Sequence, residues 1–309
     1  MTHTQSLEAT QLTQPSIVTI GVFDGIHIGH QRLIRALVAE ARASNRLAVV
    51  LTFFPHPDAV LRGIQGRYYL MHPEERAAML LAMGVDVVIT QPFNDALRQM
   101  RAAAFVESLR KQLHLSALWV GPDFALGYRR EGDVAFLRAQ GAVHGFEVST
   151  VDLVTEAGDG TIISSTRLRK LLEAGDVETA AEWLGRPYSL RGSVIQGDQR
   201  GRLLGFPTAN LAVWEEQVIP ALGVYAGWAE VRGVRYAAVT NIGVRPTFDG
   251  QILRVEPHLL DFSEDIYGEM LTLSFTARLR SEQKFDGIDA LKAQLHRDVA
   301  QARAILLRP

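Results

Sequence analysis

Two histidines three residues apart, His27 and His30, stand with Gly29 between them, a spacing suited to chemistry on an anion. Gly29 lets an anion approach the backbone, and both imidazoles can donate hydrogen bonds to phosphate oxygens from one side. Donors aimed in this way stabilise the charge that grows during phosphoryl or nucleotidyl transfer. Taken alone the pair reads equally well as two turn histidines. Zinc is disfavoured, because no cysteine or nearby third ligand completes a site.

Four other stretches carry groups of the same kind. Ser164, Ser165 and Thr166 put three hydroxyls before Arg167 and Arg169, which suits a helix cap that holds a triphosphate or pyrophosphate. A plain N-cap with solvated arginines reads the string as well. Gly197, Gly201 and Gly205, with Arg200 and Arg202, make a loop able to wrap phosphates, although no Gly-Lys-Ser/Thr follows as in a Walker loop. Thr208 and Asn210 stand two apart, so an extended segment turns both to one face, where they could hold Mg²⁺, although taken alone an Asx-type turn is the better reading. Glu256 and His258 share a strand face in the same way. Glu256 is then a candidate general base or a solvated edge carboxylate.

The elements that must position these groups change character along the chain. Ile17 to Val22 reads as a buried strand that breaks at Asp24-Gly25. Apolar residues at helical spacing follow from Leu33 to Ala41. Strands are expected at Leu47–Phe53, Val85–Thr90, Ala117–Val120 and Glu147–Val151, with helices at Glu74–Met83 and Ala96–Leu113. This alternation predicts a doubly wound α/β parallel sheet, with functional loops after the strands, including His56 and Gly121–Gly127. A joint is expected at Gly185-Arg186-Pro187. Beyond it come short strand-like segments at Ser189–Gln196, Gly223–Val231, Val234–Asn241, Arg254–Asp261 and Met270–Arg278, then a helix at Ile288–Leu306. Strands without intervening helices predict an antiparallel β-barrel with a C-terminal helix.

The bulk composition is that of a soluble globular protein, with 309 residues, 47% hydrophobic and 21% charged. A net charge of −2 argues against a dedicated nucleic-acid binder. The absence of cysteine excludes disulfides and thiol nucleophiles. No run approaches the ~20 apolar residues of a membrane span and the first residues lack a signal-peptide pattern, so a cytoplasmic protein is expected.

The string from Gly21 to His30, GVFDGIHIGH, resembles the His-x-Gly-His motif of nucleotidyltransferases in the form found in the bacterial bifunctional riboflavin kinase/FAD synthetase family. TFFPHP (Thr52 to Pro57), VGPDFALG (Val120 to Gly127) and ISSTRLRKLLEAGDV (Ile163 to Val177) are similar to the FAD synthetase module, in the family's order. GRLLGFPTANL (Gly201 to Leu211), GVYAG (Gly223 to Gly227), TNIGVRPTF (Thr240 to Phe248), VEPHLLDFSEDIYG (Val255 to Gly268) and LRSEQKFDGIDALKAQLHRD (Leu279 to Asp298) resemble the riboflavin kinase module.

The resemblance implies an FMN adenylyltransferase domain over residues 1–185 and a riboflavin kinase domain over 186–309. In the first, His27 and His30 would contact ATP phosphates in the transition state. Gly21, Phe23, Asp24, Gly29, Ser164, Ser165, Thr166 and Arg169 would complete the ATP site. Phe54, His56, Pro57, Asp123 and Phe124 would line the flavin pocket. Phe54 departs from the family, where many members have Asp; an aromatic there could stack on flavin. In the second domain Glu256 would be the catalytic base, with Thr208 and Asn210 on Mg²⁺. Gly201, Arg202, Gly205, Pro207 and Thr208 would face ATP, and Asn241 and Arg245 the flavin. ATP is then co-substrate, riboflavin and FMN are substrates, and FMN and FAD products. The expected molecule is a monomer or weak homo-oligomer with no nucleic-acid or membrane partner. The alternative is a riboflavin kinase whose first domain only binds flavin or regulates.

Overall fold

Strand β2 (Ser16–Ile20) lies in the middle of a six-stranded parallel sheet and explains its architecture. In chain order the first half runs through β1 (Thr2–Thr4), β2, α1 (Ile28–Ala43), β3 (Leu47–Phe54), α2 (Pro57–Arg62), α3 (Pro73–Ala82) and β4 (Val87–Pro92). It continues with α4 (Asp95–Gln99), α5 (Ala102–Leu113), β5 (Leu115–Val120), β6 (Ala125–Leu126), β7 (Gly132–Asp133), α6 (Val134–His144) and β8 (Glu147–Thr150). The computed structural model describes residues 1–151, 162–197, 201, 205–247 and 250–307.

The strand order is β1-β4-β3-β2-β5-β8, with every neighbouring pair parallel. Side chains alternate across the sheet. Val18, Ile20, Val49 and Leu51 pack with Phe105, Leu109 and Leu137 on one face, whereas Val50 and Val88 pack with Ile34, Ala77 and Leu80 on the other. Helices therefore cover both faces, as the sequence pattern predicts. Connections run from β2 through β3 to β4 on one side and then cross to β5 on the other. The order thus reverses between β2 and β5, and a crevice at the carboxyl ends of these strands is where such sheets bind ligands.

Besides the unexpected short elements α2, β6 and β7, three features of this half depart from the sequence reading. The polar N-terminus supplies an edge strand, β1, which pairs with β4. Helix α6, capped by the Asp133 carboxylate on the Phe136 N–H, was not anticipated. The single helix expected from Ala96 to Leu113 is two, broken at Met100 and Arg101, whose backbones are extended. Glu131, from a loop further along the chain, meets the break: its Oε1 accepts from the Ala102 N–H at 2.7 Å and so caps α5 from outside.

The second half contains α7 (Ser165–Ala174), α8 (Val177–Leu184), β9 (Tyr188–Ile195), β10 (Asn210–Val213), β11 (Gly223–Val231), β12 (Val234–Thr247), β13 (Gly250–Leu259), β14 (Met270–Arg280) and α9 (Ile288–Leu306). The strands form one antiparallel sheet in the order β10-β9-β14-β11-β12-β13. It nearly closes into a barrel where the Ala209 N–H donates to the Pro257 carbonyl at 2.9 Å. Helix α9 packs Val299, Ala302 and Leu306 onto Val224, Ala226, Ala237 and Val239. Strand β12 runs on past the expected end at Asn241, through Arg245. By its internal contacts the chain divides into Met1–Ser165 and Thr166–Pro309.

Candidate active sites

In the first unit the Gly21–His30 loop follows β2 at the order reversal and feeds α1. Its backbone is held in an uncommon shape, with φ of 53° at Phe23 and 40° at Ile26, residues that rarely adopt the left-handed region. Such strain persists only where the surroundings enforce it. Here Asp24 is buried and its carboxylate oxygens accept the Leu70 N–H at 3.0 and 3.1 Å, while its carbonyl accepts from the Ser165 hydroxyl at 2.8 Å. The Phe23 ring is buried over Gly21 and meets His30 edge-on at 5.1 Å.

His27 caps α1. Its Nδ1 accepts from the His30 N–H at 3.3 Å, which leaves the proton of the neutral imidazole on Nε2. The two rings are stacked, 3.6 Å between centroids. Buried Nδ1 of His30 has no hydrogen-bond partner. Burial pushes the His30 pKa well below its usual 6.5, and the neighbouring His27 and Arg76 push it further. No acidic residue lies in the first turn of α1, so the helix dipole and the pair together favour an anion.

Beside this pair lies a cavity of about 760 Å³ lined by Gly21, Phe53, His56, Pro57, Asp123 and Phe124, together with Phe93 and Met100. Its size and apolar walls suit a planar organic ligand. His56 caps α2 through Nδ1 on the Asp58 N–H, and its own N–H donates to the Tyr69 hydroxyl. Phe54 is not among the lining residues; its ring lies 5.5 Å from that of Tyr69, and Phe53 faces the cavity instead. Strand parity separates the two neighbours. Arg98, Arg129 and Arg130 also line the cavity but were not singled out from sequence, where they read as ordinary solvated charges. Of the hydroxyl string, Ser164 and Ser165 belong to this unit; Thr166 is exposed and Arg169 buried on α7 in the other.

In the second unit the glycine loop and β13 meet at β10. A Cβ at Gly201 would sit 2.3 Å from the Phe206 carbonyl, and one at Gly197 would sit 2.1 Å from the Asn210 amide nitrogen. Only glycine allows these approaches. Arg202 and Arg200 lie outside the described residues, and Gly205 forms a turn at φ 87°. Asn210 is buried, and its Oδ1 accepts from Nη1 of Arg254 at 3.0 Å. The same nitrogen is 3.9 Å from Oε1 of Glu256. Asn241 sits opposite Glu256 across the β12/β13 ladder, with Arg245 further along β12. His258 donates from Nδ1 to the Pro207 carbonyl at 2.7 Å, anchoring the segment that carries Thr208; burial lowers its pKa.

The Asn210 oxygen is thus held by the Arg254 guanidinium, and Thr208 stands two residues before it. Pro207, Thr208 and Ala209 also border a cavity of about 350 Å³ with Pro257, Phe262 and Tyr267. Arg254 was not anticipated, since an arginine on an exposed strand face gives no sign of its partner.

Comparison with known proteins matches both halves of the chain. A family model described as FAD synthetase matches residues 9–167, and one described as riboflavin kinase matches residues 184–306. A protein of Listeria monocytogenes named bifunctional riboflavin kinase/FMN adenylyltransferase is 38% identical over 294 residues, covering 94% of this chain and 93% of its own. The protein of that name from Escherichia coli K12 is 37% identical over 291 residues, covering 93% and 91%. A crystal structure named as a macrolide-efflux protein from Streptococcus pneumoniae superposes with a TM-score of 0.88 at 31% identity and covers 98% of each chain. Efflux is what that name says of that protein; among the described residues here, no helix is long and apolar enough to cross a membrane. On both halves, and over nearly its whole length, the chain belongs to the bifunctional riboflavin kinase/FMN adenylyltransferase family.

Proposed function

We propose that residues 1–185 carry the adenylyl transfer and residues 186–309 the phosphorylation of an enzyme that makes FMN from riboflavin and FAD from FMN. Both activities follow from family membership; the assignment of residues to steps is our reading. The observation that carries it is the stacked His27–His30 pair, with its buried unpartnered nitrogen, at a helix N-terminus beside an aromatic-walled cavity.

In the second unit Glu256 takes the proton of the ribityl 5′-hydroxyl as its oxygen bonds to the γ-phosphorus of ATP and ADP leaves. Thr208 and Asn210 would hold Mg²⁺, which would neutralise phosphate charge. Gly201, Arg202, Gly205 and Pro207 wrap the nucleotide, and Asn241 and Arg245 hold the flavin. In the first unit a phosphate oxygen of FMN attacks the α-phosphorus of ATP and pyrophosphate leaves. His27, His30 and the N–H groups at Gly29 hold the phosphates as charge builds. Ser164 and Ser165 close over the pyrophosphate, while His56, Pro57, Asp123 and Phe124 hold the isoalloxazine. Neither step needs a covalent enzyme intermediate; positioning and charge stabilisation do the work. The enzyme acts in the cytoplasm as a monomer or weak homo-oligomer, with neither nucleic acid nor membrane as partner.

ATP labelled at either the α- or the γ-phosphorus tests the scheme. The γ label should enter FMN and persist in FAD, and the α label should enter FAD alone. An α label that never reaches flavin would leave a kinase with a binding or regulatory first domain.

A further inference from the structure

Among the described residues, Arg76 is one of the largest side chains with essentially no solvent exposure, at 0%. It stands on α3 at a core position, on the stripe formed by Pro73, Arg76, Ala77 and Leu80. A buried guanidinium is costly unless its hydrogen bonds are satisfied. This one is bonded in a particular way: Nη1 donates to the Val22 carbonyl at 3.0 Å and Nη2 to the Phe53 carbonyl at 2.9 Å. Nε is buried with no partner at all. Burial lowers its pKa, and the charge is offset through space by the Asp24 carboxylate.

The two acceptors are informative. Val22 opens the loop that carries His27 and His30, and Phe53 stands at the end of β3, immediately before the Phe54–Pro57 turn. Both residues line the 760 Å³ cavity. Adjacent parallel strands splay once their ladder ends, so the carbonyls beyond β2 and at the end of β3 need a donor between them. Thr52 of β3 ties Val22 directly through its hydroxyl at 2.8 Å, and Arg76 adds from α3 one donor to Val22 and a second to Phe53. A charge-assisted fork with fixed geometry suits that task better than any other side chain.

We infer that Arg76 is a positioning residue for adenylyl transfer, its guanidinium fixing the spacing between the phosphate-binding histidine loop and the flavin-facing end of β3. The inference rests on the adenylyl-transfer reading of this site. In-line attack by one bound substrate on another is acutely sensitive to their separation, and a misplacement of about 1 Å can cost about 100-fold in rate. Each substrate on its own depends on only one side of the fork and should bind nearly as well without it.

The test compares full-length wild type with Arg76→Met, Arg76→Lys and His30→Ala. Conversion of supplied FMN to FAD is measured, and the affinities for FMN and for ATP are measured one at a time. Riboflavin phosphorylation by the same preparations reports the integrity of the second unit. Arg76→Met should lower kcat for FAD formation about 100-fold, with single-substrate affinities within about threefold and phosphorylation unchanged. Arg76→Lys keeps the charge but cannot bridge both carbonyls, and should fall between; it decides the matter if the Met variant does not fold. Full activity in a folded Arg76 variant, beside an inactive His30→Ala, overturns the inference and leaves the reading of the site intact. Loss of FMN or ATP binding in proportion to rate also overturns it, since that is a structural role only. A His30→Ala enzyme as active as wild type overturns both.

Discussion

The rings of His27 and His30 lie face to face, 3.6 Å apart at their centroids and 20° from parallel. Two imidazoles at that distance cannot both hold a proton comfortably. Burial keeps the His30 pKa well below its usual value, and the capping bond from the His30 N–H to Nδ1 of His27 places the hydrogen of a neutral His27 ring on Nε2.

That arrangement makes stability depend on pH. His30 has its folded pKa depressed well below 6.5, by burial first and then by His27 and Arg76. Below pH 6.5 the unfolded chain therefore takes up a proton that the folded one refuses. The stabilisation is complete above the unfolded value and is lost as pH falls toward the folded value. Urea midpoints should drop between about pH 7.5 and about pH 5.5, and His30→Gln should flatten that drop. An unchanged slope in the variant would show that His30 is not the group responsible.

Phe53 and Phe54 give a parity test of the flavin cavity. Only Phe53 is among its lining residues. Phe53→Ala should weaken FMN binding to the first unit about tenfold, near the worth of one aromatic contact, and Phe54→Ala by less than about threefold. Fluorescence titration of FMN decides, and the reverse order would place the flavin on the other face of β3.

Asp24 holds the strained loop from beneath. Removing a buried carboxylate that accepts the Leu70 N–H and offsets Arg76 should cost about 3 kcal/mol, so Asp24→Ala should unfold at lower denaturant than Asp24→Asn, which keeps an acceptor. Equal stability of Asp24→Ala and wild type would mean that the loop shape is set elsewhere.

Asn210 presents its oxygen to Arg254. Asn210→Ala should raise the Mg²⁺ concentration needed for riboflavin phosphorylation by about tenfold or more, with FMN adenylylation unaffected. A Mg²⁺ titration of both activities in one preparation reads this directly.

Much of the architecture was legible because local chemistry and tertiary structure agree. Strand β11 and helix α9 have the bounds expected from sequence, Gly223–Val231 and Ile288–Leu306, since glycines mark both starts and the apolar period is unbroken. The His27–His30 loop was visible because glycine, histidine and a strand-to-helix change coincide there. What was hidden depends on partners remote in sequence. Glu131 meets the helix break at Met100 from a loop further along the chain, Phe53 rather than Phe54 faces the cavity through a one-residue parity, and Arg254 reaches Asn210 across the barrel's closing seam. Arg76 left one trace that was passed over: a cation on an amphipathic helix at the same phase as Ala77 and Leu80.

The central claim is two reactions at two separate sets of residues in one chain. The most direct measurement is a time course of flavins formed from riboflavin, ATP and Mg²⁺ by wild type, His30→Ala and Glu256→Gln. Wild type should form FMN and then FAD. His30→Ala should stop at FMN, with FAD formation down about 100-fold or more. Glu256→Gln should stall at riboflavin, slowed about 100-fold or more, yet convert supplied FMN to FAD at the wild-type rate. If both substitutions impair the same step, or wild type halts at FMN, the two-site account is wrong.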